Sequence, residues 1–157
     1  MSMKKARILY VDDEVGAARL LKLNLEATGR YEVSIQNWPE DALETARTFQ
    51  PDLLLLDLIM PRLPGGNVVA AFEQDPELKD VPIVFFTASV WRERVQEHDG
   101  IICNHPCLAK PARLEEIIAF IDANLPPQVR AELPAQLAPM APTGVTTTNQ
   151  PAEQPRL

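Results

Sequence analysis

Five side chains of this 157-residue chain could act together: Asp12, Asp13, Asp57, Thr87 and Lys110. Each stands directly after an apolar stretch that reads as a strand. Asp12-Asp13 closes Ala6-Arg7-Ile8-Leu9-Tyr10-Val11, Asp57 closes Leu53-Leu54-Leu55-Leu56, and Thr87 closes Val81-Pro82-Ile83-Val84-Phe85-Phe86. Lys110-Pro111 follows a shorter stretch within residues 101–108. Singly, each has an ordinary explanation. An Asp after a strand is usually a turn or capping residue, and acids at a helix start suit the dipole. Thr87 alone reads as a strand end, and Lys110-Pro111 alone as a helix lead-in. Together they suit another chemistry. Three neighbouring carboxylates repel, and one must hold a proton unless something neutralises them. Mg²⁺ would do so, since it takes one or two carboxylates, waters and phosphate oxygens. Lys110 adds a point charge for an anion, and Thr87 one hydrogen-bond donor. The set fits phosphoryl transfer, where positioning and charge neutralisation dominate. A carboxylate can itself be the acceptor, giving an aspartyl phosphate, and Asp57 is the natural candidate.

The elements that must position these residues alternate in type. Four consecutive leucines fit a strand buried on both faces, and Pro61 and Leu63-Pro64-Gly65-Gly66 end it in a stiff loop. Val15, Ala18, Leu21 and Leu25 recur at helical spacing, and Gly29 closes that helix. Tyr31-Glu32-Val33-Ser34-Ile35 alternates as a second strand. Asn37 or Trp38 can cap the second helix, whose buried stripe is Ala42, Leu43, Ala46 and Phe49. A third helix is expected over about residues 66–74 and a fourth over 91–98, where Trp91 most simply packs. The fifth strand lies within 101–108, with Pro106 against it. Leu114, Ile117, Ile118 and Ile121 mark a fifth helix. Alternating strands and helices give an α/β fold, doubly wound, with a five-stranded parallel sheet. Ligands bind such sheets beyond the carboxyl ends of the strands.

Composition bounds the rest. The chain is 46% hydrophobic and 24% charged, ordinary for a globular domain. No apolar run has membrane-spanning length, and Met1-Ser2-Met3-Lys4-Lys5-Ala6-Arg7 precedes no signal-peptide core, so no membrane partner and a cytoplasmic location are expected. A net charge of -7 disfavours nucleic acid. Cys103 and Cys107 make no disulfide framework. With His98 and His105 they match no standard zinc spacing. Seven of the 15 prolines fall after residue 125, in a stretch without net charge. A folded domain over 1–125 and a disordered tail over 126–157 are expected, with one helical turn around 129–137. Such a tail would be dispensable for folding, and too short to be an output domain.

In these residues the chain resembles the response-regulator receiver domains of two-component signalling. The likeness covers about residues 5–124. It rests on Asp12-Asp13, on Asp57-Leu58-Ile59-Met60-Pro61 with Gly65 eight residues after the Asp, on Thr87-Ala88, and on Lys110-Pro111. It implies a flavodoxin-like three-layer αβα fold with strand order 2-1-3-4-5. It implies that Asp57 takes a phosphoryl group from a histidine kinase or a histidine phosphotransfer protein. Asp13, Asp57 and the main-chain carbonyl of Ile59 would ligate Mg²⁺, with Asp12 acting through water. Thr87 and Lys110 would bind phosphoryl oxygens, and Ile59 beside the path of water would make self-dephosphorylation slow. The expected output is phosphorylation-dependent binding of a downstream protein. The alternative is a receiver that drains phosphate or only scaffolds. A haloacid-dehalogenase-type enzyme needs a second acid two residues after the nucleophile, where this chain has Ile59. Two positions depart from the family: Cys107 stands where a rotating aromatic is usual, and Ala112 where Phe is frequent. The moving element is therefore expected in the lead-in to the fourth helix, Ala88-Ser89-Val90-Trp91.

Overall fold

Leu53, Leu54, Leu55 and Leu56 are all fully buried. Leu53 and Leu55 face one core and Leu54 and Leu56 the other. A run with no polar face must have cover on both sides, which places it at the sheet centre. The computed structural model describes residues 3–58, 60, 63, 65–88, 101–102 and 104–135. Its elements are β1 (Ala6–Val11), α1 (Val15–Ala27), β2 (Tyr31–Gln36), a 3₁₀ turn (Pro39–Asp41), α2 (Ala42–Phe49), β3 (Leu53–Leu56) and α3 (Gly65–Gln74). They continue with β4 (Ile83–Thr87), β5 (Ile101–Ile102), β6 (His105–Ala109), α4 (Leu114–Asn124) and α5 (Pro127–Ala131).

The strands lie in the order β2-β1-β3-β4-β6-β5. The first five are parallel, so the expected order 2-1-3-4-5 holds with β6 as the fifth strand. The two-residue β5 is an addition. It pairs antiparallel with β6 at the sheet edge, Ile102 opposite His105. The turn between them is allowed by Asn104 at φ 66°, a conformation Asn tolerates better than most residues. Pro106 is accommodated because it sits opposite Ile101, at the last pair of this short outer ladder.

One core lies under α1 and α4, built on Ala18, Leu21, Leu25, Ile117, Ile118 and Ile121. The other lies under α2 and α3, built on Ala42, Ala46, Val68 and Phe72. The helical spacing of α1 held from Ala18 onward, but Val15, at the first position, is exposed. Gly29 has φ 74° and turns the chain out of α1 into β2, as glycine can without strain.

The domain runs past residue 125. Val129 is buried, and Leu133 packs on the same core as α1 and α4. The Arg130 guanidinium donates to the carbonyls of Ala123 (3.0 Å) and Leu125 (3.2 Å), which caps the end of α4. Arg30 donates from Nε to the Pro134 carbonyl at 3.0 Å and from Nη1 to Asp122 at 2.8 Å. Packing therefore continues past the expected boundary at 125, through Pro134 among the described residues, and α5 overlaps the start of the helical turn expected around 129–137. The remaining tail from 136, the expected helix over 91–98, and Ile59, Ser89, Trp91, His98 and Cys103 lie outside the described residues.

Candidate functional site

Parallel strands all finish on one rim, so register decides which side chains meet. Val11 pairs with Leu56, and the Asp57 amide donates to the Val11 carbonyl at 3.0 Å. Asp12 and Asp57 are thereby set side by side. On the next pair Thr87 is opposite Ala109, and the Lys110 amide donates to the Thr87 carbonyl at 3.0 Å. The ladder thus extends one residue past each strand and brings Lys110 to the same rim.

Asp12 is 0% exposed. Its Oδ2 accepts a hydrogen bond from the Tyr10 hydroxyl at 2.5 Å and from Lys110 Nζ at 2.6 Å. Its Oδ1 accepts from the Glu14 amide at 2.9 Å. Its main-chain carbonyl accepts from Asn37 Nδ2 at 2.8 Å. Asp13 is exposed. Asp57 is nearly buried, with Oδ2 3.8 Å from Lys110 Nζ. One ligand atom from each of Asp12, Asp13 and Asp57 falls within a sphere where all lie within 4.8 Å of one another. Among the described residues one ammonium faces three carboxylates, a balance that a divalent cation fits. Asp12 already spends both oxygens on donors, whereas Asp13 faces solvent. Direct ligation suits Asp13 and Asp57 better.

The Lys110 ammonium sits between two rings, 5.1 Å from the Phe86 centroid and 5.8 Å from that of Tyr10. Thr87 is fully buried at the end of β4. Gly65 donates its amide to the Leu58 carbonyl at 3.2 Å, closing the loop after β3. A Cβ at Gly65 would lie 2.8 Å from the Asp57 carbonyl oxygen, so the loop can lie this close only over glycine.

All five expected side chains therefore reach one rim: Asp12, Asp13, Asp57, Thr87 and Lys110. Ile59 lies outside the described residues. Two residues at the site were not singled out for it by sequence. Asn37, expected as a helix cap, instead braces Asp12. Tyr10, two residues before Asp12 and so on the same face of β1, carries the hydroxyl that meets the carboxylate; a phenol among aliphatic strand residues was the available signal. Burial first, and then the bond to Asp12, hold that hydroxyl well above the usual phenol range, so it stays a donor. Cys107, on β6, is buried in the core under α2 and α3, and burial pushes its thiol up to about 11.

The sequence pattern of the response regulator receiver domain matches residues 8–122. The chain belongs to this family. As a receiver domain it is 33% identical over 122 residues to the DNA-binding dual master transcriptional regulator RpaA of Synechocystis, covering 76% of this chain and 48% of that protein. It is 39% identical over 121 residues to the response regulator MprA of Mycobacterium leprae, covering 76% of this chain and 50% of that one. This receiver chain thus spans about half the length of those relatives. Among solved structures, the chemotaxis protein CheY4 of Vibrio cholerae superposes with a TM-score of 0.67 at 26% identity, over 78% of this chain and 100% of that one. No helix among the described residues is long and apolar enough to cross a membrane.

Proposed function

We propose that Asp57 is the phosphoacceptor of this receiver domain, and that the donor is a histidine kinase or a histidine phosphotransfer protein. The observation that carries this reading is the Lys110 ammonium, 2.6 Å from Asp12 and 3.8 Å from Asp57. It is already beside the carboxylate that would receive a dianion. An Asp57 carboxylate oxygen attacks phosphorus, and the bond from phosphorus to the donor nitrogen breaks. The electron pair leaves with the donor imidazole. Lys110 and the Thr87 hydroxyl then hold phosphoryl oxygens through charge-assisted hydrogen bonds. Mg²⁺ held by Asp13, Asp57 and the Ile59 carbonyl, with Asp12 through water, would neutralise the acids as the phosphoryl group arrives.

A groove of about 370 Å³ opens beside Lys110, between α1 and α4, with Leu20, Leu21 and Leu114 on its walls. Leu20 and Leu23 are exposed on α1. That apolar surface next to the acceptor suits a donor protein. The phosphorylated form would in turn bind a downstream protein in the cytoplasm, with no nucleic acid in the contact. Cys107 favours a second reading, in which the chain drains phosphate from a relay or acts as a scaffold. It has no ring to turn inward when Thr87 moves.

Incubation with acetyl phosphate and Mg²⁺ tests the acceptor. One hydroxylamine-labile phosphoryl group per chain is expected, and none when the metal is chelated before acetyl phosphate is added. Undiminished labelling of Asp57→Asn would remove the assignment. Slow self-dephosphorylation follows from Ile59, and the label should decay faster in Ile59→Asn.

A further inference from the structure

The buried carboxylate of Asp12 shares one oxygen between two donors, Lys110 Nζ at 2.6 Å and the Tyr10 hydroxyl at 2.5 Å. If Lys110 turns to a phosphoryl group on Asp57, Asp12 gives up a charge-assisted partner. A wholly buried carboxylate left short of donors is costly, and that cost opposes the transfer. The phenol cannot follow the lysine, because Tyr10 is held within β1, paired on both sides, with its side chain buried. It therefore stays on Asp12. From this geometry we infer that Tyr10 is a positioning residue: it holds Asp12 while Lys110 is exchanged from that carboxylate to the phosphoryl group. The inference rests on the phosphoacceptor reading of Asp57 and Lys110.

Tyr10→Phe removes one oxygen atom and keeps the ring against Phe86, whose centroid is 6.3 Å away. With one donor fewer, Asp12 grips Lys110 harder. Phosphorylation by acetyl phosphate at saturating Mg²⁺ should slow about tenfold, the size of one hydrogen bond to a charged group. The control is Tyr31→Phe. Tyr31 is equally buried and its hydroxyl donates to Asp122, away from the acidic rim. It should lose stability yet keep the parent rate. A double-mutant cycle separates positioning from general damage. In a Lys110→Ala background there is no lysine to exchange, and Tyr10→Phe should change the rate by less than about twofold.

An equal slowing in both backgrounds would make Tyr10 merely structural and overturn the inference. So would a Tyr10→Phe rate equal to that of the parent while Lys110→Ala is slow; the phosphoacceptor reading would then stand alone. If the parent takes no phosphoryl group, both fall. A second measurement needs no activity from a variant at this site. The chain has two tyrosines, so Tyr31→Phe leaves Tyr10 as the sole reporter. Its ultraviolet resonance Raman bands should shift on phosphorylation, as the phenol changes from shared to principal donor on Oδ2. Unchanged bands with phosphorylation verified would also overturn the inference.

Discussion

At the scale of single residues, the acidic rim depends on atoms that are absent as much as on those present. Gly65 begins α3 under the loop that carries Asp57, and a methyl there would press within 2.8 Å of the Asp57 carbonyl and 3.0 Å of Leu58 Cα. Both contacts are backbone, so neither can swing away. Gly65→Ala should cost about 1–3 kcal/mol of stability, as overpacking does, and should shift the acceptor. Urea unfolding and the acetyl phosphate rate check this together; a variant with parental stability and rate would show that the loop yields freely. Cys107 makes the opposite case. Its thiol is buried and pushed up to about 11, so the reactive thiolate is scarce at neutral pH. In a Cys103→Ser background the native chain should resist alkylation by iodoacetamide until it is unfolded. Prompt native-state labelling would mean that β6 opens far more readily than its packing implies.

At the scale of elements, strand ends were legible because their signals are local. An apolar run, a polar stop and a turn residue follow one another in sequence, and parallel register then aligns the stops. The pairing of Tyr10 with Asp12 was only half legible. Period two places both on one face of β1, but whether a phenol reaches a carboxylate depends on rotamer and on Lys110, 98 residues away. The β5–β6 turn was hidden because one residue, Asn104, takes a left-handed conformation within a short stretch that otherwise reads as one strand. Arg47, in the last turn of α2, donates from Nε and Nη2 to Asp75, just after α3. The Arg47 bonds are the largest cause holding the Asp75 carboxyl below its usual value of 3.8. A carboxylate with a depressed folded-state pKa contributes stability above its unfolded value and loses it as pH falls through the folded one. The tie between α2 and the end of α3 should therefore be fully present at neutral pH and fade below about pH 4. Arg47→Met should lower stability at pH 7 and flatten its decline in acid. An acid decline as steep as that of the parent would show that other carboxylates set it.

At the scale of the molecule, α1, α4 and the residues after 125 close on one another through contacts far apart in sequence. Arg30 reaches Asp122 and the Pro134 carbonyl, the latter across 104 positions. Tyr31 donates to the same Asp122. Composition suggested a disordered tail because proline and neutral polar residues dominate it. The few residues that dock, Val129, Arg130, Leu133 and Pro134, are too sparse to register as a periodic pattern. Burying one valine-sized side chain contributes about 1.5–3 kcal/mol, and the Arg130 cap adds to it. A chain ending after Leu125 should melt roughly 5–15 °C lower than one ending after residue 135. Equal melting temperatures would show that α5 rests on the surface without stabilising it. The chain ending after residue 135 should keep the phosphorylation rate of the full chain, because every residue placed at the acidic rim precedes Pro111.

One covalent bond, from Asp57 to a phosphoryl group, decides whether the acidic rim is a phosphoacceptor site. Borohydride reduces an aspartyl phosphate to homoserine and leaves free carboxylates untouched. The chain treated with acetyl phosphate and Mg²⁺, then reduced and digested, should yield homoserine in the peptide that holds Leu56-Asp57-Leu58, and at position 57 alone. Homoserine at position 12 or 13, or none where phosphate has been incorporated, would contradict the assignment of Asp57 as the acceptor.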